Sequence, residues 1–224
     1  MANREHFHIA VLISGRGSNL KALIEAQREG RLGAKITLVA SNRRAAAGLL
    51  HAEEAGIPTL TLDQADYATR AAYDAALFEG VAATAPDLIV LAGFMRILDE
   101  KVIAPWAGRM INIHPSLLPK YPGLRTHERA LAAGDAAHGA SVHYVTGELD
   151  GGPVIAHADI ALRPNDTPET LAERLLPREH ALLTACVAEI AAGRVRWQDG
   201  QVEFDGRPLA APLVLSSDGL ALGG

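Results

Sequence analysis

The first half of the chain alternates short apolar runs with segments that repeat apolar residues at helical spacing. The apolar runs predict β-strands at residues 7–13, 35–40, 59–62, 87–91 and 110–113. The segments between them predict helices at residues 20–28, 45–55, 66–84 and 99–104. Alternating strands and helices form parallel sheets through right-handed crossovers, and strands that are apolar throughout are covered on both faces. The pattern therefore predicts an α/β fold, with a mostly parallel twisted sheet and helices on both faces.

The second half of the chain departs from this alternation. Two strand-like runs at residues 141–145 and 154–162 have only residues 146–153 between them, which indicates an antiparallel addition or a long loop. Thr167-Pro168-Glu169 predicts a helix start with Thr167 as N-cap, and the helix runs to about Ala192 with a kink or local break at Pro177. Residues 194–197 and 202–204 predict a terminal hairpin. We expect one domain over residues 1–208 and a weakly structured tail over residues 209–224.

Composition limits the functional classes. The chain has 224 residues, of which 49% are hydrophobic and 21% charged, a balance typical of globular proteins. A net charge of −5 disfavours a general nucleic-acid binder. The single cysteine, Cys186, excludes an intrachain disulfide, and its apolar neighbours favour a buried helical thiol over a nucleophile. The chain has no secretion-signal pattern and no apolar run long enough for a membrane span, so we expect a cytoplasmic protein.

A glycine-rich segment, Ser14-Gly15-Arg16-Gly17-Ser18-Asn19, lies between the first predicted strand and the first predicted helix. Glycines at such a position let backbone N–H groups approach a phosphate, and the helix N-terminus favours negative charge. The segment is neither a Walker A loop nor a full G-x-G-x-x-G fingerprint. From the pattern alone, phosphate binding and a plain tight turn capped by Ser18 and Asn19 are equally open.

Residues 91–98, Leu-Ala-Gly-Phe-Met-Arg-Ile-Leu, follow the fourth predicted strand. Open α/β sheets bind ligands at the carboxyl ends of their strands. Exposed backbone beside Met95, Ile97 and Leu98 could hold a flat heteroaromatic ring through hydrogen bonds and apolar contact. A hydrophobic loop packed into the core accounts for the pattern at least as well.

Asn112 and His114 alternate with apolar residues at the end of the fifth predicted strand, and three prolines follow. Histidine is the usual side chain for proton transfer near neutral pH, and an asparagine amide can donate to a developing oxyanion. A lone core histidine is the commoner case. The prolines and the polar neighbour nevertheless favour chemistry at a carbonyl-type centre.

Asp150 precedes two glycines and a proline, a setting that holds a loop in an unusual conformation. A carboxylate near His114 would favour the imidazolium and raise the pKa of that ring. The alternative is that Asp150 only orders a turn.

His143 points either into the site or toward solvent. His114, His143 and Asp150 could instead bind a metal, but no H-E-x-x-H or clustered Cys/His spacing supports this, and we expect none.

Together these segments resemble the folate-dependent formyltransferase family. Each piece alone is weak, whereas the combination is highly specific. The matching stretches are residues 11–20, 91–98, 111–123, 141–145 and 148–155, with Arg178-Glu179-His180 beyond them. The resemblance implies a Rossmann-like α/β fold. It is greatest to the branch that transfers the formyl group of 10-formyltetrahydrofolate to the amine of 5′-phosphoribosylglycinamide in de novo purine biosynthesis, without a metal.

The resemblance also assigns roles to residues. Asn112, His114 and Asp150 match the catalytic trio of the family, and Glu179 matches a substrate-contacting glutamate. The segment that matches the substrate phosphate site comprises Gly15, Arg16, Gly17, Ser18 and Asn19. The positions that match the folate site are Arg70, Met95, Arg96, Ile97, Leu98, Asn112, His143, Thr146, Gly147, Glu148 and Asp150. Two of these residues depart from the family pattern. Arg16 stands where some relatives have a smaller polar residue, and Gly147 stands at a loop position that often carries an acid.

Four rival interpretations follow from the same residues. A formyltetrahydrofolate hydrolase would carry an N-terminal regulatory domain, and a methionyl-tRNA formyltransferase a C-terminal nucleic-acid-binding domain, for which the chain has few spare residues. The Gly-Arg-Gly-Ser-Asn loop disfavours a sugar-nucleotide formyltransferase. The intact trio disfavours a folate- or nucleotide-binding regulator that has no turnover. We expect small-molecule partners and neither nucleic acid nor membrane, with a homodimer left open.

Overall fold

The structure, a computed structural model, describes residues 6–223, which contain twelve strands and six α-helices. The strands are β1 (Phe7–Ile13), β2 (Ala34–Ser41), β3 (Thr59–Thr61), β4 (Leu88–Leu91), β5 (Met110–His114), β6 (Ala137–Tyr144), β7 (Val154–Ala161), β8 (Val195–Gln198), β9 (Gln201–Phe204), β10 (Arg207–Pro208), β11 (Leu213–Ser216) and β12 (Gly219–Ala221). The helices are α1 (Ser18–Arg28), α2 (Gly48–Glu54), α3 (Arg70–Ala83), α4 (Glu100–Ile103), α5 (Thr126–Ala133) and α6 (Pro168–Ala191).

Nine strands form the central sheet in the order β12-β11-β7-β6-β5-β4-β1-β2-β3. Strands β1 to β5 are parallel, and β6 is antiparallel to both β5 and β7. This confirms the predicted α/β class with an antiparallel addition. The chain runs outward from β1 to β3 and then crosses to β4 on the other side of β1. A crevice therefore opens at the carboxyl ends of β1 and β4, where such sheets bind ligands.

Alternate residues of β1 enter two separate cores, one on each face of the sheet. Val11 packs in a cluster with Leu20 of α1 and Leu183 of α6. Leu12 packs on the opposite face in a cluster with Leu77 of α3. Successive side chains of a strand point to opposite faces, so a continuous apolar run needs cover on both. Helices on both faces supply that cover, as predicted.

One predicted helix begins later in the structure than expected, and another begins where it was predicted. The helix predicted over residues 66–84 begins at Arg70, because Thr69 is extended and its side chain accepts from the Ala72 N–H, while a separate 3₁₀ turn forms at Gln64–Asp66. The predicted N-cap Thr167 is confirmed, and its side chain accepts from the Thr170 N–H. Of the kink or local break predicted at Pro177, the break is excluded, since α6 continues through Pro177. Helix α5 was not predicted.

The expectation of a weakly structured tail is wrong for much of residues 209–224. Strand β11 pairs in parallel with β7, and β12 returns antiparallel beside it. Leu213 and Leu215 are buried while Val214 between them is exposed, so this short strand adds two leucines to the core. The central sheet therefore continues past the boundary predicted at residue 208. Within the described chain, none of the helices has the length and apolar character needed to span a bilayer.

Candidate active site

Asn112, His114 and Asp150 meet at the carboxyl end of β5. The amide Nδ2 of Asn112 lies 3.5 Å from Oδ1 of Asp150, and Nδ1 of His114 lies 3.4 Å from its Oδ2. Strand β5 supplies the first two residues on one face, because they are two positions apart. Asp150 comes from the loop between β6 and β7 and has a left-handed backbone with a φ of 52°. The loop conformation aims its carboxylate back at the strand end.

His143 points into this site, which decides between the two orientations left open by its sequence. The antiparallel register places it opposite Asn112. Its Nε2 lies 3.1 Å from Nδ2 of Asn112 and 3.6 Å from Oδ1 of Asp150, while its Nδ1 lies 2.9 Å from the Tyr144 carbonyl. The carbonyl only accepts, so a neutral ring carries its proton on Nδ1 and accepts the asparagine amide on Nε2. His143 therefore fixes the direction of the Asn112 amide.

Both nitrogens of His114 face acceptors. Nε2 lies 2.9 Å from the Tyr121 carbonyl, and Nδ1 faces the Asp150 carboxylate. Burial lowers the pKa of His114 and outweighs the Tyr121 carbonyl and Asp150, which raise it. Asp150 therefore raises the pKa of His114 as predicted, but burial has a larger and opposite effect. A neutral His114 holds its proton on Nε2, which leaves Nδ1 able to accept one.

Asp150 is held in its charged form. Its burial raises the pKa of the carboxyl, but the neighbouring His143 side chain and the hydrogen bond from the Gly123 N–H outweigh burial, and the pKa is lowered overall. The Gly123 N–H donates to Oδ2 at 2.8 Å. An ionised carboxylate beside a neutral imidazole is suited to stabilise the imidazolium that forms when Nδ1 takes up a proton.

The glycine-rich segment forms the floor of a cavity of about 610 Å³. Gly17 is the N-cap of α1 with a φ of 72°, and no side-chain cap is formed, so the interpretation that Ser18 and Asn19 only cap the helix is not supported. Gly48 of α2 packs so closely that a Cβ there would lie 2.8 Å from the Gly17 Cα. The cavity is lined by residues 14–19, Arg43, Ala92, Gly93, Met95, Pro115, His127, Glu169, Ala172, Glu173, Leu176 and Glu179.

Glu179 of α6 reaches this cavity from the opposite wall. Burial raises its pKa to about 7, and a hydrogen bond from Asn19 opposes the shift. Only 9% of Glu179 is exposed. Within the described residues, Oδ1 of Asn19 is buried without a hydrogen-bond partner. The loop and α6 thus present a carboxyl and an amide to the same space.

A second cavity of about 100 Å³ has Asn112 and Asp150 in its wall. It is lined by Leu91, Phe94, Arg96, Ile97, Leu98, Ile103, Asn112, His143 and residues 145–150. Phe94 and Leu98 are buried in the core, whereas Met95 and Ile97 are exposed, so the packed-loop interpretation fits only part of the segment. Met95 faces the larger cavity rather than this one.

Two arginines predicted near the smaller cavity are placed differently. Arg96 is nearly buried, forms an ion pair with the fully buried Asp74, and lies 4.4 Å from the centroid of the Tyr73 ring. Arg70 begins α3, and its side chain is about half exposed with Nε 3.8 Å from Asp74 Oδ2. Arg96 thus lines the cavity, whereas Arg70 does not line it and lies next to Arg96, whose guanidinium donates to the Arg70 carbonyl.

Comparison with known proteins agrees with this arrangement. The family model described as formyl transferase matches residues 7–187. The chain belongs to the formyl transferase family. It is 46% identical over 202 residues to phosphoribosylglycinamide formyltransferase of Escherichia coli (strain K12), covering 90% of this chain and 95% of that protein. The structure of phosphoribosylglycinamide formyltransferase (purN) from Coxiella burnetii superposes with a TM-score of 0.88 at 49% identity, covering 92% of this chain and 97% of that one.

A human relative of this formyl transferase is much longer. The trifunctional purine biosynthetic protein adenosine-3 of Homo sapiens is 43% identical over 188 residues. The match covers 84% of this chain and 19% of the human protein. The formyl transferase unit therefore also occurs as one part of a multifunctional chain.

Sequence reasoning missed the residues that join the loops of this formyl transferase. The Ser14 hydroxyl donates to Asn42 Oδ1 at 2.6 Å and accepts from the Met95 N–H at 2.7 Å, so it ties the glycine-rich segment to the loop after β4. The Ser141 hydroxyl donates to the Ser116 carbonyl at 2.6 Å beneath the loop after β5. The signal available for Ser14 was its position directly after an apolar strand, whereas Ser141 lies within β6. Over residues 6–223 the structure has no group of three or more His, Cys, Asp or Glu arranged to hold a metal ion.

Proposed function

We propose that this chain is a phosphoribosylglycinamide formyltransferase. It transfers the formyl group of 10-formyltetrahydrofolate to the primary amine of 5′-phosphoribosylglycinamide and releases tetrahydrofolate. The observation that carries this proposal is that the trio adjoins two cavities. Asn112 and Asp150 line the smaller cavity, and Pro115, which follows His114, lines the larger one. Two substrates bound in these cavities would meet at the trio.

The larger cavity suits the phosphorylated substrate. The backbone N–H groups of residues 15–19 and the N-terminus of α1 favour a phosphate, and the exposed Arg16 adds a positive charge. Glu179 on the opposite wall is placed to accept hydrogen bonds from ribose hydroxyls. The smaller cavity suits the pterin ring, which the backbone of residues 96–98 and 145–150 would hold, with Arg70 at the rim facing the acidic end of the folate.

The reaction begins when the substrate amine attacks the formyl carbon. A C–N bond forms and the carbonyl electron pair moves to oxygen. The Asn112 amide stabilises this oxyanion, exchanging its long 3.5 Å contact with Asp150 for a hydrogen bond to the substrate. His143 retains the other amide hydrogen and keeps the group oriented. No covalent enzyme intermediate is needed.

Proton transfer completes the reaction. His114, neutral before the reaction because of its lowered pKa, takes the proton of the attacking nitrogen on Nδ1. The Asp150 carboxylate stabilises the imidazolium. The proton then passes to N10 of the folate, directly or through a water, as the C–N10 bond breaks. Holding both reactants beside these groups supplies a large share of the rate gain.

Several finer features belong to the same proposal. Each step above uses only protein groups, so we propose that turnover needs no metal and is unchanged by EDTA. The buried, unpaired Cys186 fits a reducing compartment and supports a cytoplasmic location. The family match over residues 7–187 supports a single formyltransferase domain, whose central sheet continues past residue 208 through β11 and β12.

The test is an absorbance assay of tetrahydrofolate release from 10-formyltetrahydrofolate, with and without 5′-phosphoribosylglycinamide. Release that depends on the amine supports the proposal. Release at the same rate without the amine would indicate a hydrolase instead. Folate binding by calorimetry without release in either case would indicate another acceptor or a regulator.

A further inference from the structure

The loop after β5 contacts both members of the proposed proton-transfer pair through its backbone. The Tyr121 carbonyl accepts from Nε2 of His114 at 2.9 Å. Two residues later, the Gly123 N–H donates to Oδ2 of Asp150 at 2.8 Å. Small movements of this loop would therefore change the orientation of the imidazole and of the carboxylate together.

Tyr121 adopts a conformation that must be held by its surroundings. Its φ is 58°, in the left-handed region that a bulky residue rarely occupies. Its hydroxyl donates to Oδ2 of Asp135 at 2.8 Å, and the Arg129 guanidinium lies 5.1 Å from the centroid of its ring. Asp135 also accepts from Nζ of Lys120 at 2.9 Å. The side chain is thus fixed at its far end, while the carbonyl points inward.

The position of this carbonyl decides which nitrogen of His114 is the base. A carbonyl only accepts, so the proton of the neutral ring lies on Nε2. Nδ1 is then the nitrogen with a free lone pair, and it faces Asp150 at 3.4 Å. If the carbonyl moved away, the proton would move to Nδ1, where it would hydrogen-bond to the carboxylate. Nδ1 could then no longer accept a proton from the substrate.

We propose that Tyr121 is a positioning residue for His114: the hydrogen bond of its hydroxyl to Asp135 holds its carbonyl on Nε2 and so reserves Nδ1 for the proton. This inference rests on the proposed function. It assigns a catalytic consequence to a hydroxyl that lies outside both cavities and makes no contact with the trio through its side chain.

The test compares Tyr121→Phe with the wild type. The ring remains while the hydroxyl bond is lost, so we expect kcat to fall about tenfold with each KM changed less than about twofold. The Tyr121 carbonyl raises the pKa of His114. Loosening it lowers that pKa, so the acid limb of the kcat profile moves to lower pH. The other groups that act on His114 stay in place: Asp150, His143, His127, His138 and Arg129.

A second readout needs no substrates. Nitrogen-15 NMR of the imidazoles, with the His114 signals assigned by their loss in His114→Asn, reports which nitrogen holds the proton. We expect Nε2–H in the wild type and a larger Nδ1–H fraction in Tyr121→Phe. If the wild type does not turn over, the proposed function fails while this measurement still tests the role of Tyr121.

Matched variants separate the hydroxyl bond from general damage. Lys120→Met removes the other bond to Asp135, and Tyr67→Phe removes a hydroxyl elsewhere; both should leave the acid limb and the tautomer unchanged. Asp135→Ala should reproduce Tyr121→Phe, and it carries the test if Tyr121→Phe does not fold. An unchanged kcat, acid limb and tautomer in the folded variant would overturn the proposal, as would an equal shift in Lys120→Met.

Discussion

Oδ2 of Asp150 lies 3.4 Å from Nδ1 of His114 and accepts a hydrogen bond from the Gly123 N–H. The carboxylate is therefore anchored on one side and free to stabilise a charged imidazole on the other. It is also kept ionised, since its pKa is lowered overall. This relationship supports the proposal that Asp150 does more than order a turn.

We expect Asp150→Asn to fold and to lose about 10²- to 10³-fold in kcat, because the amide carries no charge to stabilise the imidazolium. The measurement is steady-state turnover together with circular dichroism and the urea midpoint. Asp159→Asn, an exposed carboxylate on β7, is the matched control and should retain wild-type turnover. Near-normal turnover of Asp150→Asn would reduce Asp150 to a loop-ordering role.

The lowered pKa of His114 predicts the shape of the pH profile. With His114 as the proposed base, kcat should fall as the pH drops through its pKa, and that midpoint should lie below the ordinary histidine value of about 6.5. In His114→Ala, kcat should drop by about 10² or more and this limb should disappear. A limb that persists in the folded variant would assign the titration to another group.

Much of the fold could be predicted because local signals agreed with the global arrangement. The apolar run of β1 and the capping signal at Thr167 each fixed an element correctly. The tail could not be predicted, because β11 contributes only Leu213 and Leu215 to the core and owes its position to pairing with β7. Pairing over such a distance leaves no trace in a short sequence window.

The candidate site was predicted in its members but not in its electrostatics. The alternation of Asn112 and His114 placed both on one face of a strand, and the structure agrees. The effect of Asp150 on the pKa of His114 was predicted with the correct sign, but the larger effect of burial was not predicted, because burial depends on packing from several elements. The role proposed for Tyr121 could not be predicted from the sequence, since it depends on a backbone carbonyl, which every residue carries.

Arg16 provides a prediction on substrate binding. It is exposed at the glycine-rich segment and lines the larger cavity. We expect Arg16→Ala to raise the KM for 5′-phosphoribosylglycinamide by about 3- to 10-fold, since a charge-assisted contact to phosphate is lost from an exposed position. The KM for the folate and kcat should change little, and the effect should weaken at high salt.

The matched control for Arg16 is Arg44→Ala. Arg44 is also exposed, but its guanidinium lies near the carboxylates of Asp63 and Asp66, so it should not contribute to phosphate binding. Equal KM values for Arg16→Ala and Arg44→Ala would show that Arg16 only faces solvent. Initial rates over a range of both substrates are sufficient to decide this.

Glu179 should make the protein less stable at neutral and alkaline pH. Its pKa is raised from 4.5 to about 7 by burial, so the folded state binds a proton that the unfolded state has lost. The contribution of this group to stability is complete below the unfolded pKa and is lost as the pH rises toward 7. A shift of this size corresponds to at most about 3 kcal/mol.

Glu179→Gln removes the charge while keeping the shape. The urea midpoint of the variant should therefore equal that of the wild type at about pH 5 and should be higher than that of the wild type at about pH 8. Glu173→Gln, an exposed residue of the same helix, should show no such difference. If Glu179 also binds the substrate, the stabilised variant should have a raised KM for 5′-phosphoribosylglycinamide. If the stability rises while the KM is unchanged, neither packing nor substrate binding explains why this charge is buried. Glu179 would then be removed from the proposed site.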